Sequence, residues 1–149
     1  MASSISVSRT IGAPPAAVYA VSTDVERWAE IIPAIDKIEL LTPGPIQVGS
    51  RFKETRMMFG RAATEEMEFL EMDEPNGYVL GAESHGCRYR TEYVFESVAE
   101  GTRLTMTFNA EPLTFLAKIM TVLMKPMLKK MVQMCGKDLD ALKAHIEGS

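Results

Sequence analysis

The stretch YVLGAESHGCRYRTEYVFE, from Tyr78 to Glu96, decides the fold. Two runs of alternating residues flank His85-Gly86, a dipeptide suited to a two-residue hairpin turn. Centring the pairing there sets Tyr78 opposite Tyr93, Leu80 opposite Thr91 and Ala82 opposite Tyr89, while Glu83 meets Arg88. Residues opposite one another share a face. One face is therefore aromatic and apolar, the other charged and paired. The next turn, Ala99-Glu100-Gly101, sets Phe95 against Leu104, Tyr93 against Met106 and Thr91 against Phe108, with Glu96 against Arg103 outside. Two independent turns thus assign the same residues of the shared strand to one inner face.

Working outward, residues 3–11 alternate, with Ile5, Val7 and Ile11 on one parity and serines and Thr10 on the other, which predicts a half-buried strand. Gly12 to Pro15 stops it and starts a short helix carrying Val18, Tyr19 and Val21. Thr23-Asp24-Val25-Glu26 fits a capping box and predicts a second short helix with Trp28, Ile31 and Ile32, ended by Pro33. Further strands are predicted over 35–41, 49–59, 62–72, 78–84, 87–96 and 102–110, with turns at Gly60-Arg61 and Pro75-Asn76-Gly77. After Pro112 the period changes. Leu116, Met120, Leu123, Met127, Met131, Cys135, Leu142 and Ile146 recur at helical steps, predicting one long amphipathic helix kinked at Pro126. The expected architecture is α+β: a curved seven-stranded antiparallel sheet, two short helices after the first strand, and a long C-terminal helix packed across a cavity. The whole chain, 1–149, reads as a single ligand-binding domain.

Composition narrows the function. A formal net charge of −4 argues against a general electrostatic grip on nucleic acid. The apolar region near the C-terminus is broken by lysines and Pro126, so stable membrane insertion is not expected. The N-terminus lacks the pattern of a signal peptide, and Cys87 and Cys135 stand far apart, which fits free thiols in a reducing cytoplasm. Eleven methionines against one tryptophan suit an adaptable apolar pocket.

Centring the third and fourth strands on Gly60-Arg61 pairs Phe52 with Phe69, Glu54 with Met67, Arg56 with Glu65 and Met58 with Ala63. Lys53 and Thr55 fall on the opposite face, against Glu68 and Glu66. Glu54, Arg56 and Glu65 therefore stand among apolar inner residues, where charges are costly unless paired or wet. They are the catalytic candidates, and a rim ion pair between Arg56 and Glu65 is the structural alternative.

Four stretches carry a family resemblance: Ile11-Gly-Ala-Pro-Pro-Ala-Ala-Val-Tyr19; Thr23-Asp24 to Trp28 with Ile32-Pro33; Val48-Gly49-Ser-Arg-Phe52; and Tyr89-Arg-Thr-Glu-Tyr93-Val-Phe95 followed by Gly101-Thr-Arg-Leu104-Thr. Together they resemble the START/polyketide-cyclase superfamily (SRPBCC), whose plant members include the birch pollen allergen. The resemblance implies a helix-grip fold with a deep cavity between sheet and C-terminal helix, holding lipids, sterols, polyketides, quinones or hormones. It implies no shared catalytic motif, and fold alone does not choose among these roles.

The expected cavity wall comprises Trp28, Phe52, Glu54, Arg56, Met58, Glu65, Met67, Tyr89, Thr91, Tyr93, Met106 and Phe108 from the first two-thirds of the chain. The last helix adds a methionine stripe of Met120, Met124, Met127, Met131 and Met134. Trp28 reads first as a core anchor for its short helix and second as a residue at the cavity mouth. No nucleophile motif, phosphate loop or metal-ligand spacing is present, and His85 and His145 fall at a hairpin tip and near the last helical turn, so no cofactor or metal is expected. Phe115, Ile119 and Val122 lie off the helix stripe and read as cover for the cavity, a subunit contact in a homodimer, or a membrane contact. Three functions fit: a carrier of a hydrophobic small molecule, a cyclase or dehydrase acting by positioning and proton transfer, or a quinone- or partner-binding accessory module. The last rests on Ile31-Ile32-Pro33, which loosely resembles coenzyme Q-binding relatives.

Overall fold

The computed structural model describes residues 3–148. The elements are β1 (Ser3–Ile11), α1 (Pro15–Ser22), a 3-10 turn (Val25–Arg27), α2 (Trp28–Ile31), β2 (Ile35–Leu40), β3 (Arg51–Met58), β4 (Arg61–Asp73), β5 (Gly77–Ser84), β6 (Cys87–Val98), β7 (Gly101–Pro112), α3 (Phe115–Leu123), a second 3-10 turn (Lys125–Met127) and α4 (Leu128–Glu147). All seven strands form one antiparallel sheet in the order β1-β7-β6-β5-β4-β3-β2. Register breaks between Ile35 and Lys37 and between Phe69 and Glu71 bend the sheet as bulges do. α4 packs across its concave side in a helix-grip arrangement.

The β5–β6 and β6–β7 registers are those expected, from Tyr78↔Tyr93 to Phe95↔Leu104. The β3–β4 register is not. The turn is Phe59-Gly60 rather than Gly60-Arg61, so Phe52 faces Met67, Glu54 faces Glu65, Arg56 faces Ala63 and Met58 faces Arg61. The cause lies in turn geometry. A type I′ hairpin needs positive φ at both central residues, and glycine is favoured at the second. Phe59 and Gly60 adopt φ of 50° and 81°, matching His85 and Gly86 at 51° and 77°. A slip of two residues keeps every side chain on its expected face but changes its partner.

One other expectation is corrected. The capping box does not form: the Thr23 hydroxyl donates to Tyr19 O, and Asp24 makes no side-chain cap. The long C-terminal helix is present as α4, and the kink expected at Pro126 is a full break that sets α3 apart from it. Pro126 lacks an N–H, and the chain passes it in the 3-10 turn between α3 and α4. Thr114 caps α3 by accepting from Ala117 N at 3.1 Å.

The core fills the end of the sheet plugged by α1 and α2. Trp28, Phe52, Phe69, Tyr78 and Tyr93 form a chain of ring contacts with centroids 4.5–5.9 Å apart. The Trp28 indole donates to Ser22 O at 3.0 Å, and the Tyr78 and Ser22 hydroxyls bond at 2.7 Å, while the buried Tyr19 hydroxyl has no hydrogen-bond partner among the described residues. Leu139 and Leu142 of α4 pack on the same cluster. The C-terminal half of α4 is fastened to β1. Arg9 meets Asp140 at 2.7 Å, Lys143 donates to Thr10 O, and Glu147 accepts from Gly12 N. At Gly136 a Cβ would stand 2.7 Å from the Arg9 guanidinium, so glycine permits this close approach.

Candidate functional site

Beyond the aromatic plug, sheet and α4 separate around a cavity of ≈ 250 Å³. Thirteen of the sequence-predicted residues line it: Trp28, Glu54, Arg56, Met58, Glu65, Met67, Tyr89, Thr91, Tyr93, Met106, Phe108, Met131 and Met134. Trp28 serves both roles foreseen for it, since the buried ring that anchors α2 also presents to the cavity. Phe52 does not line the cavity; it is fully buried in the plug. Met120, Met124 and Met127 are absent from the wall as well. Met120 and Met124 are exposed, because the break at Pro126 takes α3 out of the phase that carries Met131 and Met134 over the sheet.

One charged cluster, Glu54, Arg56 and Asp138, lies in this largely apolar wall. Arg56 Nη2 and Nε donate to Glu54 Oε1 and Oε2 at 3.0 and 3.3 Å, and Nη1 donates to Asp138 Oδ2 at 2.9 Å. The side chains are only 16%, 6% and 13% exposed for Arg56, Glu54 and Asp138 respectively. The expected Arg56–Glu65 pair is replaced by this triad. With the true register Glu54 and Glu65 stand directly opposite, and Arg56 leans along its own strand to Glu54 and across the cavity to α4. Glu65 instead accepts from the Ser84 hydroxyl at 3.3 Å.

Asp138 is the residue the sequence reading missed. The signal was present: Met131, Cys135, Asp138 and Leu142 follow four-, three- and four-residue steps, so a carboxylate sits within the apolar stripe.

Burial sets the protonation chemistry. It raises the Asp138 carboxyl above the ordinary carboxylate value; Arg56 opposes the rise, and Glu54 adds to it. Burial also opposes the Arg56 charge, but Glu54 and Asp138 outweigh it, so the guanidinium is held more firmly than usual. The Cys135 thiol is pushed up to about 11 by burial and then by Asp138. Tyr89 is pushed up to about 12 by burial, then by Cys87 and Glu65. Tyr93 is raised well above its usual value by burial, then by Tyr78, Asp138 and Glu54. Both phenols are therefore neutral near pH 7 and able to donate hydrogen bonds into the cavity. The arrangement offers an apolar chamber with one charge-dense pole and donors beside it. Among the described residues no group of three or more His, Cys, Asp or Glu is placed to hold a metal ion. No helix there is long and apolar enough to cross a membrane.

Comparison with known proteins places this geometry. No curated protein matches the chain. Solved structures do. TTHA0849 from Thermus thermophilus is similar with 23% identity and a TM-score of 0.81, 98% of each chain being covered. The Zhui aromatase/cyclase from Streptomyces sp. R1128 is similar with 18% identity and a TM-score of 0.80, over 99% of this chain and 94% of that one. The major latex-like protein 151 of Panax ginseng is similar with 15% identity and a TM-score of 0.78, over 97% of both chains. At these identities the likeness is one of fold. The sequence itself matches a family across residues 2–147, so the helix-grip chain with its charged cavity belongs to the polyketide cyclase/dehydrase and lipid transport family.

Proposed function

We propose that the protein binds a hydrophobic small molecule whose one polar end meets Arg56, Asp138 and Tyr93, with the apolar body against Met58, Met67, Met106, Phe108 and Met131. The observation that carries this reading is the Glu54–Arg56–Asp138 cluster facing an apolar cavity. A few convergent polar groups in an apolar wall orient a ligand. The cavity volume, ≈ 250 Å³, suits a compact ligand. The cluster sums to one negative charge when all three groups are ionised, which favours a neutral carbonyl, phenol or quinone oxygen over a carboxylate. Native mass spectrometry of the purified protein, followed by solvent extraction, tests the reading directly. Titration with the neutral dye Nile red supplies a second measure. Ala82 lines the cavity, and Ala82→Trp fills it. Retained folding with lost dye binding is the expected result; unchanged dye binding in Ala82→Trp sinks the proposal.

A second reading, as a cyclase or dehydrase, is favoured by the raised Asp138 carboxyl held against Arg56. In that reading the Asp138 carboxylate removes a proton alpha to a ligand carbonyl, and Arg56 N–H groups stabilise the enolate oxygen. The proton held on Asp138 then goes to the departing hydroxyl as water leaves. Asp138→Asn with ligand binding retained and turnover of a polyketide-like substrate lost supports this reading. Turnover retained in Asp138→Asn removes it.

A further inference from the structure

The segment 113–130 is not explained by the cavity. It carries Lys118, Lys125, Lys129 and Lys130 and no acidic residue, in a chain whose formal net charge is −4. Its apolar side chains face solvent: Phe115 is 78% exposed, Leu116 70%, Leu123 65% and Val122 61%. Only Ala117 is buried on α3, against the β5–β6 turn at Gly86. The same end of the sheet carries the β3–β4 turn, where Phe59 is also exposed. The nearby carboxylates Glu83 and Glu111 both lie within 4.0 Å of Arg88, which offsets one of their two charges and leaves the four lysines in excess. One end of the molecule is therefore apolar and basic, while the acidic excess lies elsewhere.

We propose that this end docks on an anionic phospholipid surface, with α3 lying in the headgroup region and its apolar side chains in the acyl boundary. The combination fits that partner rather than a second copy. An amphipathic helix with exposed large apolar residues and flanking lysines partitions to anionic interfaces. A second copy would bring four like charges against four. The cavity wall at Met131 begins just past the segment, so docking holds the open space of the protein beside the lipid. The inference does not depend on what the cavity binds.

Co-sedimentation of the full chain with mixed phosphatidylglycerol/phosphatidylcholine vesicles, and with phosphatidylcholine alone, tests it. Binding to the anionic vesicles is expected to be at least about tenfold stronger and to fall with salt. Lys118→Gln, Lys125→Gln, Lys129→Gln and Lys130→Gln combined should weaken it by on the order of a thousandfold. Leu116→Glu with Leu123→Glu should abolish it while the thermal melt stays unchanged, since both sites are exposed. Val122→Trp should show a blue-shifted emission on anionic vesicles and none on neutral ones. Equal or absent binding on the two vesicle types overturns the proposal. So does a dimer in sedimentation velocity that the Leu116/Leu123 variant dissociates, because a second copy then covers the face.

Discussion

α3 and α4 arise from one amphipathic pattern crossed by Pro126, yet they meet opposite fates. α4 buries Leu139 and Leu142 in the core, turns Met131, Met134 and Cys135 to the cavity, and bonds to both β1 and β3. α3, one proline earlier, leaves Phe115, Leu116, Val122 and Leu123 in solvent. The difference teaches that periodicity reports that a face exists, and says nothing of what covers it. Pro126 decides the matter by breaking the phase between the two stretches.

The contrast can be broken most severely at Arg56. Arg56→Met leaves Glu54 and Asp138 close together and uncompensated, and should cost about 3–5 kcal/mol in urea unfolding. Adding Glu54→Gln and Asp138→Asn should recover much of the loss, and failure to do so would show that Arg56 acts by packing. Next, Leu139→Ala on α4 should cost about 2–5 kcal/mol. A smaller effect concerns pH. The Asp138 carboxyl is raised in the folded state, so the folded protein holds its proton at pH values where the unfolded chain has lost it. Its penalty is complete above the raised folded value and disappears as pH falls to the ordinary carboxylate range. Relative to Asp138→Asn, the native protein should therefore lose stability as pH rises through that window; parallel profiles in denaturant melts would remove Asp138 from the account. The smallest change belongs to α3: Leu116→Ala should stay within about 0.5 kcal/mol of the native protein. A large loss there would mean that α3 is packed, and would erase the comparison.

Much of the fold was legible because turns and alternation reinforce each other. Tyr93 was assigned inward by two separate hairpins, and the β5–β6–β7 registers are as read. The β3–β4 register failed at one decision, the position of glycine in the turn. His85-Gly86 already displayed the correct rule, which applied to Phe59-Gly60 places Glu54 opposite Glu65. Glu54, Arg56 and Glu65 reached the inner face regardless, because a two-residue slip preserves parity. Asp138 was overlooked because the stripe was read for its methionines and not for the charge inside it. The position of α3 was not legible, since no local pattern encodes how far a chain turns at a proline.

The Arg56–Asp138 bond has a mechanical meaning. α4 is fastened at β1, one edge of the sheet, by Asp140, Lys143 and Glu147, and reaches β3, beside the opposite edge, through Asp138. The sheet is an arch and the helix its chord, with this bond as the tie at the far abutment. A guest that takes the Nη1 donor of Arg56 from Asp138 would untie that abutment, and entry and widening of the span would then be the same event.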